Sequence, residues 1–173
     1  MNGYDYFTKL IKRKGETMIN VDIPGYKTLR LENLIMDFNG TIALDGLLKD
    51  GVEERLVRLS NDLNLFILTA DTFGLVEKSC AGLPVHIQKL QKGREADQKK
   101  DVLKQMGCDR TAAMGNGAND IMMLETACLS IIVLGQEGLC TAGLSGADIC
   151  VPDPCAGLDL FLFPKRIMAT LRR

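Results

Sequence analysis

The stretch 34–41 constrains the fold of this 173-residue chain more than any other part of the sequence. Its apolar run ends at Asp37, and Asn39 and a Gly-Thr pair follow at once. A short apolar run is typical of a buried strand, and open α/β folds bind their ligands at the carboxyl ends of strands. The stretch therefore predicts a central strand that carries Asp37 to a functional edge of a sheet. The alternative is a strand that ends in a solvated Asp-x-Asn turn.

The rest of the chain alternates between strand and helix patterns. Further buried strands are predicted at 65–68, 85–90, 111–114, 129–134 and 147–151. Helices are predicted at 52–63, 72–80, 95–106 and 119–127, and one or two closing helices are predicted over 158–171, around Pro164. An antiparallel edge pair is predicted within 18–32 and a hairpin over 42–48. This alternation predicts an α/β fold, a three-layer Rossmann-like parallel sheet with helices on both faces.

Composition limits the partners and the compartment. The length suits a single domain over 1–173, in which residues 1–16 form either a docked helix or a loosely ordered extension. A net charge of -1 provides no field to attract nucleic acid or an acidic membrane. Six Cys without a CxxC pair and a single His predict neither a disulfide framework nor a zinc site. No apolar segment is long enough to span a bilayer and no secretory signal is recognisable, so the sequence predicts a cytoplasmic protein.

Polar residues follow the strands at what should be one edge of the sheet, and a helix adds two lysines. These residues are Asp37 with Asn39, Thr69 with Asp71, Asn116 with Asp120, and Lys99 with Lys100. Each has an ordinary explanation, such as a helix cap, a solvated lysine or a hairpin turn. The glycines at 115 and 117 do not complete a dinucleotide fingerprint, because Asn119-Asp120 stands where the third Gly is needed. The order of these polar residues and lysines along the chain nevertheless indicates a common site.

These motifs resemble those of the haloacid-dehalogenase-like (HAD) hydrolases over residues 30–173. The family's Asp-x-Asp-Gly-Thr matches 37–41, its strand ending in Thr matches 66–69, and its Gly-Asp-Gly-x-Asn-Asp matches 115–120. Its helical lysine matches Lys99 best, with Lys100 as the alternative. Within the family, Thr69-Ala70-Asp71 and the long tail after Gly115 resemble the small soluble relatives of the P-type ATPase phosphorylation domain.

The resemblance implies phosphoryl transfer through an aspartyl-phosphate, with Mg²⁺ as cofactor. Asp37 would be the nucleophile, Thr69 would hold the phosphoryl group and Lys99 would offset its charge, beside Asn39 as the fourth catalytic position. The implied phosphate-binding residues are Phe38, Gly40, Thr41, Ala70 and Asn119. The implied metal ligands are Asp37, the main-chain carbonyl of Asn39, Asn116 and Asp120.

Two departures from the family pattern predict low activity. Phosphatases of the family have Asp where this chain has Asn39, and a carboxamide cannot protonate a leaving group. General acid–base help is typically worth about 10²–10⁴-fold in rate. The second departure is Asn116, where a metal-binding Asp is usual. Because hard cations prefer anionic oxygen, affinity for Mg²⁺ should fall.

Spacing and motifs together give the functional prediction. Predicted strands and helices fill the segments on either side of Thr69, so no cap domain fits between the motifs. The open site would admit a bulky phosphorylated substrate such as a nucleotide, or a neighbouring subunit of a homo-oligomer would cover it. The leading prediction is a Mg²⁺-dependent phosphohydrolase of low activity, a phosphatase or weak ATPase. The alternative is a catalytically quiet regulatory or interaction module that binds phosphate or a partner protein.

Overall fold

A computed structural model describes residues 18–70 and 74–173 of the chain. The N-terminal stretch 1–16 and Asp71 lie outside the described residues. The strands are β1 Ile19–Asp22, β2 Thr28–Leu31, β3 Asn33–Asp37, β4 Ala43–Leu44, β5 Leu47–Leu48, β6 Asn64–Thr69, β7 His86–Lys89, β8 Thr111–Gly115, β9 Leu129–Val133 and β10 Ile149–Val151. The α-helices are α1 Val52–Leu59, α2 Leu75–Ser79, α3 Glu95–Met106, α4 Ile121–Leu124, α5 Pro154–Leu162 and α6 Lys165–Leu171. Two 3₁₀ turns occupy Ala118–Asp120 and Thr141–Ser145.

Six strands form the central sheet in the order β10-β9-β8-β3-β6-β7, and all of their pairings are parallel. The chain enters this sheet at the central strand β3, continues outward through β6 and β7, and then crosses to β8, β9 and β10 on the other side. The order thus reverses around β3, where doubly wound sheets open a crevice for ligands at the carboxyl ends of their strands. The predicted fold class is confirmed.

The sheet separates two hydrophobic cores. On β3 the side chains of Leu34 and Met36 enter the core that α1, α5 and α6 cover, together with the antiparallel pair β1–β2. The intervening Ile35 enters the second core, beneath α3 and α4. All three side chains are fully buried, as expected for a parallel strand covered on both faces. Helix, sheet and helix therefore form the three predicted layers.

Several boundaries differ from those predicted. Helix α1 ends at Leu59 instead of residue 63. The closing region is two helices, one of the two predicted possibilities, but the first begins at Pro154 instead of residue 158. The side chain of Asp153 accepts the Ala156 N–H at 2.9 Å, which caps α5, and a proline suits the first helical turn. The helix predicted over 119–127 is a 3₁₀ turn followed by the short α4.

The described residues between β3 and β6 hold only the hairpin β4–β5 and α1, and those between β6 and α3 hold only α2 and β7. The described residues of the two segments contain no inserted domain. Within the part of the chain that is described, no helix combines the length and apolar character needed to cross a bilayer.

Candidate active site

A tight turn after β3 forms the floor of the site. The carbonyl of Phe38 accepts the N–H groups of residues 41–43 at 2.9–3.3 Å, and the Gly40 N–H donates to the carbonyl of Ala43 at 2.8 Å. Gly40 has a φ of 78°, which a glycine adopts without steric cost. The turn brings the Thr41 hydroxyl back to Asp37, where it donates to Oδ2 over 3.3 Å. The first motif is thus a compact loop with Asp37 at its centre.

A buried lysine joins the first and last motifs. Lys99 Nζ donates to Oδ1 of Asp37 at 2.5 Å and to Oδ1 of Asp120 at 2.6 Å. The Lys99 side chain is only 1% exposed, whereas the adjacent Lys100 is half-buried and has no partner in the described part of the chain. Helix α3 therefore directs Lys99 into the site, which favours it over Lys100 as the lysine of the third motif.

Asp120 positions the lysine and the turn beside it. Its Oδ2 accepts the N–H groups of Asn116 and Gly117 at 3.0 and 2.9 Å, while Oδ1 accepts Lys99. Both oxygens of this fully buried carboxylate are therefore engaged within the protein. The same bonds replace the start of the predicted helix with a 3₁₀ turn, because they fix the backbone that leads into it.

The site holds two carboxylates for one ammonium. Burial, and then the negative charge of Asp120, raise the pKa of Asp37 to about 7, although Lys99 acts in the opposite direction. Burial lowers the pKa of Lys99, but the two carboxylates outweigh it and leave that pKa above its ordinary value. Lys99 therefore stays cationic and is shared, and the cluster of Asp37, Lys99 and Asp120 carries an excess negative charge once Asp37 ionises.

Asn116 lies on the other side of Asp37. Its Oδ1 accepts from the Thr41 hydroxyl at 3.1 Å, and its Nδ2 donates to the Gly138 carbonyl at 3.0 Å. The single proton of Thr41 can satisfy only one of its two acceptors at a time, Asp37 Oδ2 or Asn116 Oδ1. Both oxygens therefore face the Thr41 hydroxyl, and each keeps a lone pair that the protein does not use.

The donor set fits a Mg²⁺ ion with one anionic ligand. Mg²⁺ is commonly held through one or two carboxylates together with substrate oxygens and water. Asp37 Oδ2 and Asn116 Oδ1, which share the Thr41 hydroxyl, are the oxygens that the site offers, and the main-chain carbonyl of Asn39 stays a predicted third ligand. No cluster of three or more His, Cys, Asp or Glu ligands occurs in the described residues, and the engaged oxygens of Asp120 favour Asn116 over it as a ligand.

The remaining predicted residues lie around this centre. Thr69 is buried at the end of β6, where the preceding Leu68 pairs with Asp37. Ala70, half-buried, comes next, and Asn119 is exposed on the 3₁₀ turn. Phosphate binding by these residues and by Phe38 stays a prediction.

The side chain of Asn39 is turned away from the centre. It is exposed on the turn, and its Oδ1 accepts the Gly46 N–H at 2.8 Å, which ties the turn to the hairpin β4–β5. The amides of Gly40 and Thr41 donate to main-chain carbonyls within the turn itself. A phosphoryl group would thus have to compete for these two predicted amide donors.

Sequence reasoning missed the loop after β9. The Cys140 N–H donates to the Asn116 carbonyl at 2.8 Å, and Gly138 accepts the Asn116 amide. The only signal in the sequence is a Gly-x-x-Gly segment, 135–138, directly after a buried strand. In a parallel sheet such a loop must emerge at the same edge as Asp37.

Comparison with solved structures identifies the fold class. Over 83% of this chain and 94% of its own, a deoxy-D-mannose-octulosonate 8-phosphate phosphatase from Haemophilus influenzae superposes with a TM-score of 0.65 at 14% identity. A 3-deoxy-D-manno-octulosonate 8-phosphate phosphatase from Moraxella catarrhalis, in complex with magnesium, phosphate and KDO, covers 80% and 90% with a TM-score of 0.62 at 16% identity. The chain therefore has the HAD fold, as its motifs predict. At these identities the likeness establishes the fold alone.

Sequence relatives add no function. A 60-residue stretch is 43% identical to an uncharacterized protein of Methanocaldococcus jannaschii, and it spans 35% of this chain but 64% of that protein. A second uncharacterized protein of the same organism is 51% identical over 39 residues, 22% of this chain and 89% of its own length. No protein-family model matches the chain. The likeness to soluble relatives of P-type ATPases stays a prediction.

Proposed function

We propose that this protein is a Mg²⁺-dependent phosphohydrolase that acts through an aspartyl-phosphate on Asp37. The observation that carries the proposal is the buried Lys99, which binds Asp37 and Asp120 at the carboxyl edge of β3. An ion pair that only stabilises the fold needs two charges. This cluster has three, Asp37, Lys99 and Asp120, and it lies at the sheet edge where ligands bind in such folds. The HAD phosphatases with the same fold support the reaction class.

In the proposed reaction, a carboxylate oxygen of Asp37 attacks the phosphorus atom and the bond to the leaving oxygen breaks. Mg²⁺, when bound, would neutralise charge on the phosphoryl oxygens. Lys99 holds Asp37 in place and offsets the negative charge that nucleophile and substrate bring together. Thr69, Ala70 and the amide of Phe38 are the proposed contacts of the phosphoryl group. Water then cleaves the acyl phosphate and returns Asp37 to its carboxylate form.

The proposal includes low turnover and a preference for activated phosphates. The amide of Asn39 has no acidic proton to give to a leaving oxygen, and its Oδ1 accepts the Gly46 N–H. A leaving group that is stable as an anion, such as an aryl oxide or a nucleoside diphosphate, needs no such proton. The proposal therefore includes weak ATP hydrolysis, in which a nucleoside diphosphate is the leaving group. It also includes a location in the cytoplasm. The described residues between the motifs contain no inserted cap domain, which favours a bulky phosphorylated substrate or a covering subunit.

The test is phosphate release from p-nitrophenyl phosphate, with and without Mg²⁺. Slow release that requires the metal is expected, and Asp37→Asn should abolish it. Asp62→Asn, which removes an exposed carboxylate before β6 at the opposite edge of the sheet, should leave the rate unchanged. Asn39→Asp should raise the rate for alkyl phosphates, because the new carboxyl can release the Gly46 N–H and protonate the leaving oxygen. An unchanged rate would mean that residue 39 does not reach the leaving group.

A catalytically quiet module that binds phosphate or a partner is the second candidate. It is favoured by the two amide side chains Asn39 and Asn116, which are both hydrogen-bonded within the protein. Absence of release at every Mg²⁺ concentration, with Asn39→Asp equally silent, would decide for this candidate.

A further inference from the structure

The loop after β9 places a carboxylate against the first motif. At Gly40, the point where a Cβ would stand lies 2.7 Å from Oε2 of Glu137, and Nδ2 of Asn116 lies closer still, so Glu137 is on the Nδ2 side of the Asn116 amide. On the same loop Gly138 accepts the Asn116 amide. The Glu137 carboxylate and the Asn116 side chain thus cover the same side of the Gly40 backbone. A side chain at position 40 would separate them.

The charge of Glu137 is not used elsewhere. In the described ranges 18–70 and 74–173 its carboxylate takes part in no hydrogen bond and no ion pair, and the residue is exposed. Its two neighbours in the site are uncharged, since Gly40 has no side chain and Asn116 is an amide. A solvent-exposed carboxylate beside an amide has no structural partner to stabilise. It is available to a cation.

The site has one negative charge fewer than the HAD pattern, because Asn116 stands where a metal-binding Asp is usual. Lys99 is shared by Asp37 and Asp120, and both oxygens of Asp120 are engaged. A dication bound by Asp37 and Asn116 would therefore have a single anionic ligand. Mg²⁺ retains several water molecules in most protein sites, and carboxylates outside the first coordination shell bind through such waters.

We propose that Glu137 supplies the negative charge that Asn116 lacks, and holds Mg²⁺ through its water shell from the solvent side of the site. This inference rests on the proposed function, because it concerns the metal of that reaction. Glu137 is a metal-binding residue in this scheme and takes no part in proton transfer. The missing charge is thus supplied from the loop after β9, which carries Glu137, instead of from the turn after β8, which carries Asn116.

Calorimetric titration of the full chain with Mg²⁺ alone tests the inference. Glu137→Gln should weaken Mg²⁺ binding about 10-fold, the lower end of the range of about 10- to 100-fold that is typical for outer-shell partners of metals. Asp62→Asn removes an equally exposed carboxylate at the far edge of the sheet and should leave the affinity unchanged. Adding Asn116→Asp to Glu137→Gln should restore the affinity, because the charge returns at the neighbouring position. Thermal melts of each variant verify folding.

An unchanged affinity in Glu137→Gln, an equal loss in Asp62→Asn, or no measurable Mg²⁺ binding by the unaltered chain would each overturn the inference. Phosphate release separates this from the proposed function. Metal-dependent release that Asp37→Asn abolishes, with Glu137→Gln binding Mg²⁺ normally, leaves the phosphohydrolase intact and refutes only the role of Glu137. Tight Mg²⁺ binding that depends on Glu137, without any phosphate release, would support the role of Glu137 and refute the proposed phosphohydrolase.

Discussion

Replacing Asp37, the proposed nucleophile, should stabilise the protein. Asp37 is a buried acid whose carboxylate must share Lys99 with Asp120, and its pKa is raised from 3.8 to about 7. The folded state therefore holds a proton that the unfolded chain releases between these two values. Stability must fall as pH rises through this window and stay low above it. Asp37→Asn removes the ionisation and with it the cost.

The magnitude follows from the shift. About three pKa units at 1.36 kcal/mol each give roughly 4 kcal/mol above pH 7, which is a ceiling for the gain. The Asp37 side chain is 11% exposed, so solvent screens little of this cost. Asn retains an oxygen for Lys99 and an amide for the Thr41 hydroxyl, although its bond to the ammonium is weaker. A gain of roughly 2 kcal/mol at pH 8 is expected after that loss.

Urea unfolding in metal-free buffer at a series of pH values measures the effect. The free energy of unfolding of Asp37→Asn should exceed that of the unaltered protein at pH 8, and the two should converge as pH falls toward 4. Asp62→Asn is the control, because its carboxylate is exposed. Equal or lower stability of Asp37→Asn at pH 8 would refute the reasoning, since it would mean that Lys99 satisfies both carboxylates.

Two further substitutions test the packing of the site. Gly40→Ala should lower the free energy of unfolding in urea by more than Gly82→Ala, because both glycines have a left-handed backbone but only a Cβ at position 40 meets Asn116. The backbone cost in each is about 1–2 kcal/mol, and equal losses would show that the contact is absent. Lys99→Met should cost about 3–5 kcal/mol at pH 8, as expected when a buried pair loses one partner, whereas Lys100→Met should change little. Similar losses in both lysine variants would contradict the assignment of Lys99.

Local patterns predicted the elements that position the site. Helix α3 runs from Glu95 to Met106 as predicted, because its apolar face is regular and Gly107, with a φ of 95°, ends it. The strand β3 was equally clear, since a parallel strand buried on both faces is continuously apolar. The motifs on these two elements predicted the meeting of Asp37 with Lys99, which the structure contains.

Contacts between distant segments could not be predicted in the same way. The helix after Asn116 is shorter than its pattern suggests because Asp120 binds backbone amides within the turn. The Asn39 side chain is held by Gly46, seven residues further along the chain. The position of Glu137 depends on how the loop after β9 folds over Gly40. None of these contacts leaves a periodic trace in the sequence.

The amide at 116 affects the free protein and the metal complex in opposite ways. A carboxylate at this position would add negative charge beside a cluster that already holds two acids for one lysine, and the metal-free fold would become less stable. The amide avoids that repulsion but removes an anionic ligand that a dication prefers. An exposed carboxylate at Glu137 resolves the conflict, because water screens it in the free protein and the bound cation attracts it. The loss of Mg²⁺ affinity in Glu137→Gln should therefore be larger than is usual for an exposed carboxylate.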